Sequence, residues 1–477
     1  MSFADHILDG VTPQVFLLAF DDKTVGFNLL SSLEGDFTTD PVEINRPFLT
    51  GDKTRFGCVP SATMSCTLQN ADNRYSGFPF GKARAYIGTY EGDTTVGTFQ
   101  VNGINIIIGG GMRDELVIGS DEIPDTSGVT VCYIFSLVST YYAYFIDDNG
   151  KVRQVDIEDT TNDTVLGDPC QFFTKACSKD YAVVYLETWD EIHGTFNLHL
   201  YDGQKESLYE LCPVGVFNIS RPRSTSTVTI SITDAFDDMR RLDVSCGDFV
   251  QHIQTLYPGG SCLVGDFVDE LLTDFSYQYW VTYPTVYVRT DLFNRKDYMY
   301  RELLHYAAEA MCKCVYFDAV GDLEFQDPAE DPLVPPPEWQ DSAIFPMTRI
   351  MANGYDRADF TTGYYDGVNL YMTDGTVWLS GTYTEEELYV ITENPLIDPS
   401  TLQDADYISR VGHLPVYHPM TVTATELNPA LRPGAVVSVQ NIYTGNYELA
   451  PAWEIDIIWA GKTYGTVIAG GVEHALY

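Results

Sequence analysis

STSTVTISITDAFDDMRRLD, residues 224 to 243, sets a strand directly against a helix. Val228, Ile230 and Ile232 alternate with Thr227, Thr229 and Ser231, the period of two that half-buries a strand on a sheet. The alternation stops at Thr233 and Asp234. Asp234 is placed to cap a helix whose Phe236, Met239 and Leu242 share one face. Asp237 and Asp238 precede Arg241 by four and three residues, an order that suits both side-chain pairing and the helix dipole. The junction therefore predicts a β-rich chain that gives way to a helical segment at this point.

Working outward, turn dipeptides between alternating apolar runs mark hairpins at Asn149-Gly150, Asp202-Gly203 and Asp374-Gly375. Residues 129–146, 151–156, 181–188 and 196–200 all read as strands. From about 234 to 325 the spacing turns helical, at 249–257, 266–275 and 297–312. In the last of these, Met299, Leu303, Tyr306 and Ala310 are expected on one face. Proline-rich residues 328–337 read as a stiff linker, and strands return from about 342. Strands, a helical insert and strands again predict an α+β, mostly β architecture, and 477 residues suffice for roughly three domains.

Charge limits the function classes. The chain has 68 Asp and Glu against 27 Lys and Arg, a formal net charge of −41, with the acids spread along its length. A surface so negative repels phosphates, which excludes nucleic-acid affinity driven by counterion release. Solubility is one use of such charge. The N-terminal MSFADHILDG lacks the basic and apolar regions of a signal peptide, and no apolar run approaches the roughly 18 to 20 residues of a membrane span. Ten cysteines do not make a disulfide framework in a chain this long. The close pairs, Cys58 with Cys66, Cys170 with Cys177 and Cys312 with Cys314, lack the second pair or histidines of a zinc site. Reduced, buried thiols are expected, and neither metal nor cofactor.

Catalytic signatures are missing as well. WAGKT at 459–463 lacks the first glycine of a phosphate-binding loop, and a hairpin turn accounts for it. Gly109 to Gly111 lack dinucleotide-site spacing, and Phe145 stands where a calcium loop at Asp147 to Gly150 would need an acid. No G-x-S-x-G elbow or catalytic-zinc histidine pair occurs. With so many acids, any one pair suited to glycoside hydrolysis is uninformative. His305, beside Glu309 in the helical reading, is expected as an i,i+4 partner or a packed histidine. No residue is assigned to catalysis, and the protein is read as not an enzyme.

Three segments, in order, resemble one family. The first is the strand-to-helix junction, preceded by Val214-Gly215-Val216-Phe217. The second is a helix from Tyr300 running into Ala319-Val320-Gly321-Asp322-Leu323-Glu324-Phe325. The third combines Glu393-Asn394-Pro395-Leu396-Ile397, a helix over 402–411, Tyr417-His418-Pro419, and Asn428-Pro429-Ala430-Leu431-Arg432-Pro433-Gly434 leading into a strand. This series is similar to the tail hub, or baseplate hub, proteins of long-tailed bacteriophages and related contractile injection particles. Ala435 departs from the Asp usual after that glycine.

The resemblance implies two tube-like β-barrel domains with a small helical domain between them. Boundaries follow: 1–102 with 213–233 for the first barrel, 103–212 for a β-rich insertion within it, 234–341 for the helical domain and linker, and 342–477 for the second barrel. It implies a homotrimer at the virion tail tip, made and assembled in the bacterial host cytoplasm. Three copies of two similar barrels would present six units to a six-fold tube or distal tail ring above and a three-fold tip below. Expected partners are the tail tube or distal tail protein, the tape-measure protein C-terminus and tail-tip or receptor-binding proteins, with DNA passing through an acidic channel unbound. Asp234, Phe236, Met239, Leu242, Asn428, Pro429, Leu431, Pro433 and Gly434 are the structural residues it singles out. Such hubs often carry a peptidoglycan-cleaving domain after the second barrel; here the chain is expected to stop short of one at Tyr477. Two alternatives stand beside it: a hexameric distal tail protein, and a carbohydrate-binding protein or depolymerase using Tyr141, Tyr142, Tyr144 and Trp189.

Overall fold

A computed structural model describes residues 15–20, 29–49, 55–70, 75, 80–95, 97–101, 104–108, 131–137, 140–146, 152–156, 163–164, 170–178, 181–190, 195–201, 205–219, 227–234, 246–273, 279–280, 283–327, 343–359, 365, 367–381, 388–399, 409–411, 414, 417–460 and 463–472. For 94–206 and 227–234 the description is of the backbone. The chain is α+β and mostly β, and it divides into two compact units.

The first unit comprises 1–40, 66–214 and 219–230. Its Val15–Phe20 strand is buried along its whole length and pairs antiparallel with both Leu29–Ser31 and Lys82–Thr95. Six consecutive apolar side chains suit a strand covered on both faces, where alternation would bury polar groups. Val15, Leu17, Ala19, Tyr86, Tyr209 and Leu211 form its core cluster. The hairpins expected around Asn149 and Asp202 are present as antiparallel pairs, Thr140–Ile146 with Val152–Asp156 and Thr195–Tyr201 with Lys205–Asn218. Gly97–Val101 pairs with Ile104–Ile108 in a six-stranded sheet that runs on to Asp163–Thr164. Gly97–Val101, expected in the first barrel, thus shares a sheet with strands of the stretch expected as an insertion. The tyrosines at 141, 142 and 144 and Trp189 lie in strands, and their side chains fall outside the described set.

The second unit comprises 41–65, 215–218 and 231–477. Its main sheet runs through Val42–Pro47, Tyr447–Trp459, Thr463–Val472, Tyr417–Ala424 and Ile350–Arg357, all antiparallel. Early residues therefore complete a sheet made mostly from the last hundred. Among the described residues the strand order of neither unit returns to its start.

Among the described residues the main helices are Cys246–Leu256, Val264–Leu272 and Tyr300–Ala310. A three-stranded sheet of Val377–Gly381, Gly367–Tyr371 and Leu388–Thr392 accompanies them. One face of that sheet buries Val368, Leu370, Tyr389 and Ile391 in a core shared with Val264, Phe267, Leu271, Leu303, Leu304 and Ala307. Each large apolar side chain so buried stabilises by about 1.5–3 kcal/mol. The helix expected at 297–312 is shorter, and its buried face is rotated. Leu303, Leu304, Ala307, Ala308 and Met311 are buried, whereas Met299 is 55% exposed. Tyr306 is partly buried, because its hydroxyl turns out to Glu302. Cys58, Cys66, Cys212, Cys262, Cys312 and Cys314 are buried thiols. Cys58 and Cys314 both donate to the Arg55 carbonyl, a pairing across the chain rather than the local pairs of the sequence.

Candidate functional site

Parts of the segments that resemble the hub family meet in the second unit around Tyr300 to Gln326. Asn394 is 1% exposed. Its Oδ1 accepts the Leu396 N–H at 3.0 Å and its backbone carbonyl accepts from Ile397 at 3.4 Å. This Asx turn leaves the amide nitrogen pointing away, where it donates to the Tyr306 carbonyl at 3.1 Å and to Glu309 Oε2 at 3.0 Å. Glu309 is itself 1% exposed. Its Oε1 faces the Tyr389 hydroxyl and Arg55 Nη2, both at 3.5 Å. Tyr389 accepts the Phe56 N–H at 3.0 Å. Burial, reinforced by Glu309, holds the Tyr389 phenol well above the ordinary tyrosine range. Burial opposes the charge on Arg55, but Tyr389 and Glu309 outweigh it and raise its pKa.

The second asparagine-proline turn repeats the first bond for bond. Asn428, also 1% exposed, accepts the Ala430 N–H on Oδ1 at 3.0 Å and the Leu431 N–H on its carbonyl at 3.1 Å. Its anchor has the opposite charge. Arg46, 3% exposed, donates Nη1 to the carbonyls of Pro429 and Leu431 at 3.2 and 3.3 Å. Arg432 to Ala435 then make a tight turn closed by Ala435 N–H to the Arg432 carbonyl at 3.1 Å. Proline second and glycine third, the latter at φ 81°, are the residues a type II turn demands. A Cβ on Gly434 would sit 2.8 Å from Gln326 Oε1, so the loop lies against the end of the Leu323–Gln326 strand. Ala435 enters the next strand by accepting the Ala452 N–H at 2.8 Å.

The glycine-x-leucine hairpin is built by Asp318, whose Oδ1 accepts the N–H groups of Val320, Gly321 and Asp322, each at 2.9 Å. Gly321 has φ 95° and a Cβ there would meet Val216 Cγ2 at 2.6 Å. The strand preceding the junction is thereby packed on the hairpin. Phe217 pairs with Asp234, so Asp234 is the last residue of the Thr227–Asp234 strand. Phe236, Met239 and Leu242 fall outside the described residues, as does most of the 402–411 helix, of which 409–411 are helical. Asn428, Pro429, Leu431, Pro433 and Gly434 belong to the constellation.

Sequence reasoning missed its anchors. Glu309 does not pair with His305; the His305 Nδ1 faces the Gly57 carbonyl instead. A glutamate on the apolar side of a helix was the signal for Glu309. Arg46, alternating with Ile44 and Val42, carried none.

No family model matches the chain and no curated protein matches it. Among solved structures, the 43 kDa tail protein of prophage MuSo2 from Shewanella oneidensis matches with 9% identity and a TM-score of 0.38, over 95% of this chain and 97% of that one. Prophage tail protein gp18 from Listeria monocytogenes EGD-e matches with 9% identity and a TM-score of 0.34, over 66% and 93%. A type VI secretion system component of E. coli, described as similar to T4 tail proteins gp27 and gp5, matches with 7% identity and a TM-score of 0.28, over 92% and 75%.

No group of three or more potential metal ligands occurs among the described residues, and no described helix is long and apolar enough to cross a membrane. The arrangement presents turns, carbonyls and packed strands.

Proposed function

We propose that this protein is a structural tail hub, a trimeric adaptor between a six-fold tube or distal ring and a three-fold tip. The observation that carries the reading is the convergence of the family-like segments on Tyr300 to Gln326. Segments from residues 216, 394 and 434 contact that one helix and hairpin, in the order in which the hub proteins carry them. Chance turn motifs would have no reason to meet on one helix and hairpin. The domain plan of two barrels, a helical insert and a β-rich insertion at 103–212 belongs to the same proposal, as do the tail-tip location and the absence of catalysis.

A net charge of −41 suits a conduit wall to which DNA does not adhere. Exposed apolar side chains suit a subunit that is completed by neighbours. Tyr371, Val377, Leu379 and Val390, between 40 and 52% exposed, lie in adjacent register on the outer face of the three-stranded sheet. Ile442, Tyr443, Tyr447 and Leu449 are exposed at the hairpin joining Val436–Gln440 to Tyr447–Trp459.

Light scattering and native mass spectrometry of the purified chain should give a trimer, and deletion of residues 103 to 212 should leave it trimeric. A monomer at high concentration, together with a six-fold ring of this protein in images of the particle, would end the proposal.

A further inference from the structure

Beside the Glu309 anchor, and sharing Arg55 with it, lies an open cleft of about 500 Å³ lined by Arg55, Val59, Met299, Arg301, Glu302 and His305. In a chain with a formal net charge of −41, a cavity with two arginines and a histidine against one carboxylate is a local reversal of sign. Most of these groups are committed. Glu302 accepts from Arg295 and from the Tyr306 hydroxyl at 2.9 Å. Arg301 grips the Val59 carbonyl through Nε, at 3.0 Å, and Nη2. His305 uses Nδ1 on Gly57.

Arg55 is different. Its side chain is 42% exposed, and its hydrogen bonding within the protein is the 3.5 Å contact from Nη2 to Glu309. Its Nε is buried without an acceptor. A guanidinium has five N–H donors in a planar fork, and the fork matches the two oxygens of a carboxylate. The buried Nε is out of a ligand's reach, so it is the exposed part of the Arg55 guanidinium that calls for an acceptor from outside.

We infer that this cleft binds a carboxylate side chain of an acidic peptide segment from another polypeptide, with Arg55 as the recognition residue. The rest of the lining selects the kind of segment. Met299, 55% exposed, and Val59 offer an apolar flank, so the acid is followed or preceded by an apolar residue. A volume of this size admits a few residues rather than a folded surface. One available guanidinium in so acidic a chain favours a single negative charge over a phosphate dianion or a polyanion. The site does not depend on the hub reading, and it can be tested on the isolated chain.

The test is fluorescence anisotropy at about 0.1 M salt, where long-range repulsion is screened beyond roughly 10 Å. Two labelled, amidated hexapeptides of leucine and serine, with one central glutamate in the first and glutamine in its place in the second, are titrated with the full chain. The glutamate peptide should bind about tenfold more tightly, the scale of one charge-assisted bidentate contact. Arg55→Gln should erase the difference, and Arg55→Lys should keep only part of it. If Arg55→Gln alters the thermal melt, Met299→Glu on the exposed rim supplies the second variant; it should repel the glutamate peptide and leave the melt unchanged. Equal binding of the two peptides, or a difference that survives both Arg55→Gln and Met299→Glu, overturns the proposal. So does displacement of the glutamate peptide by inorganic phosphate at lower concentration than by free glutamate.

Discussion

The turns at Asn394 and Asn428 are one local structure held by two opposite devices. Each asparagine closes an Asx turn over a proline and is 1% exposed. At Asn394 the turn's spare amide protons meet the buried Glu309 carboxyl; at Asn428 the turn's carbonyls meet the buried Arg46 guanidinium. Asparagine with proline specifies the bend, and the fold decides whether the bend is held as donor or as acceptor. The same four-residue phrase can thus dock on surfaces of either charge.

The contrast is tested first at Asn394. Asn394→Ala removes the turn bond and two amide donations, one of them to a buried acid, and should cost about 3 kcal/mol in urea unfolding. Asn428→Ala loses the turn bond to Ala430 while Arg46 still holds the carbonyls, and should cost at least about 1.5 kcal/mol. A loss at Asn394 no larger than one turn bond, about 1 kcal/mol, would break the comparison.

Gly434→Ala sharpens it further. The Gln326 side chain can move aside, so the cost comes from the positive φ and should be about 1 kcal/mol. Gly434→Asn, better suited to that backbone, should recover part of it.

The smallest effect at neutral pH is the most specific to the Glu309 anchor. Tyr389 is held protonated above its unfolded pKa of about 10, so its contribution is present below that pH and fades as pH rises beyond it. Between pH 9.5 and 11.5 the wild type should therefore lose more stability than Tyr389→Phe. Parallel curves would show that Tyr389 is not buried against Glu309. The comparison is needed because buried thiols such as Cys66, pushed up to about 12, destabilise the protein in the same direction from lower pH.

How much of this was legible follows the range of each interaction. Asn394-Pro395, Asn428-Pro429, Pro433-Gly434 and Gly321 were readable because an Asx turn or a positive φ is settled within four residues. So was the mostly β class, with its helices near the expected positions. The anchors were not readable. Glu309 lies 85 residues from Asn394, and Arg46 lies 383 from Pro429. The rotated face of the 300–310 helix was lost for the same reason, since Leu304 and Ala308 are buried by partners that periodicity does not name. The junction's own residues, Phe236, Met239 and Leu242, remain a proposal.

Asn45 and Glu454 bond across 409 residues, because the strand at 42–47 finds its partner only at 447–459. A ribosome making this polypeptide releases the early strand long before its mate exists. For most of translation the second unit carries an unfinished β edge, open to pairing with any other nascent chain. Production in the cell should accordingly respond to holdase chaperones and lower growth temperature more than to any stabilising substitution in the finished molecule.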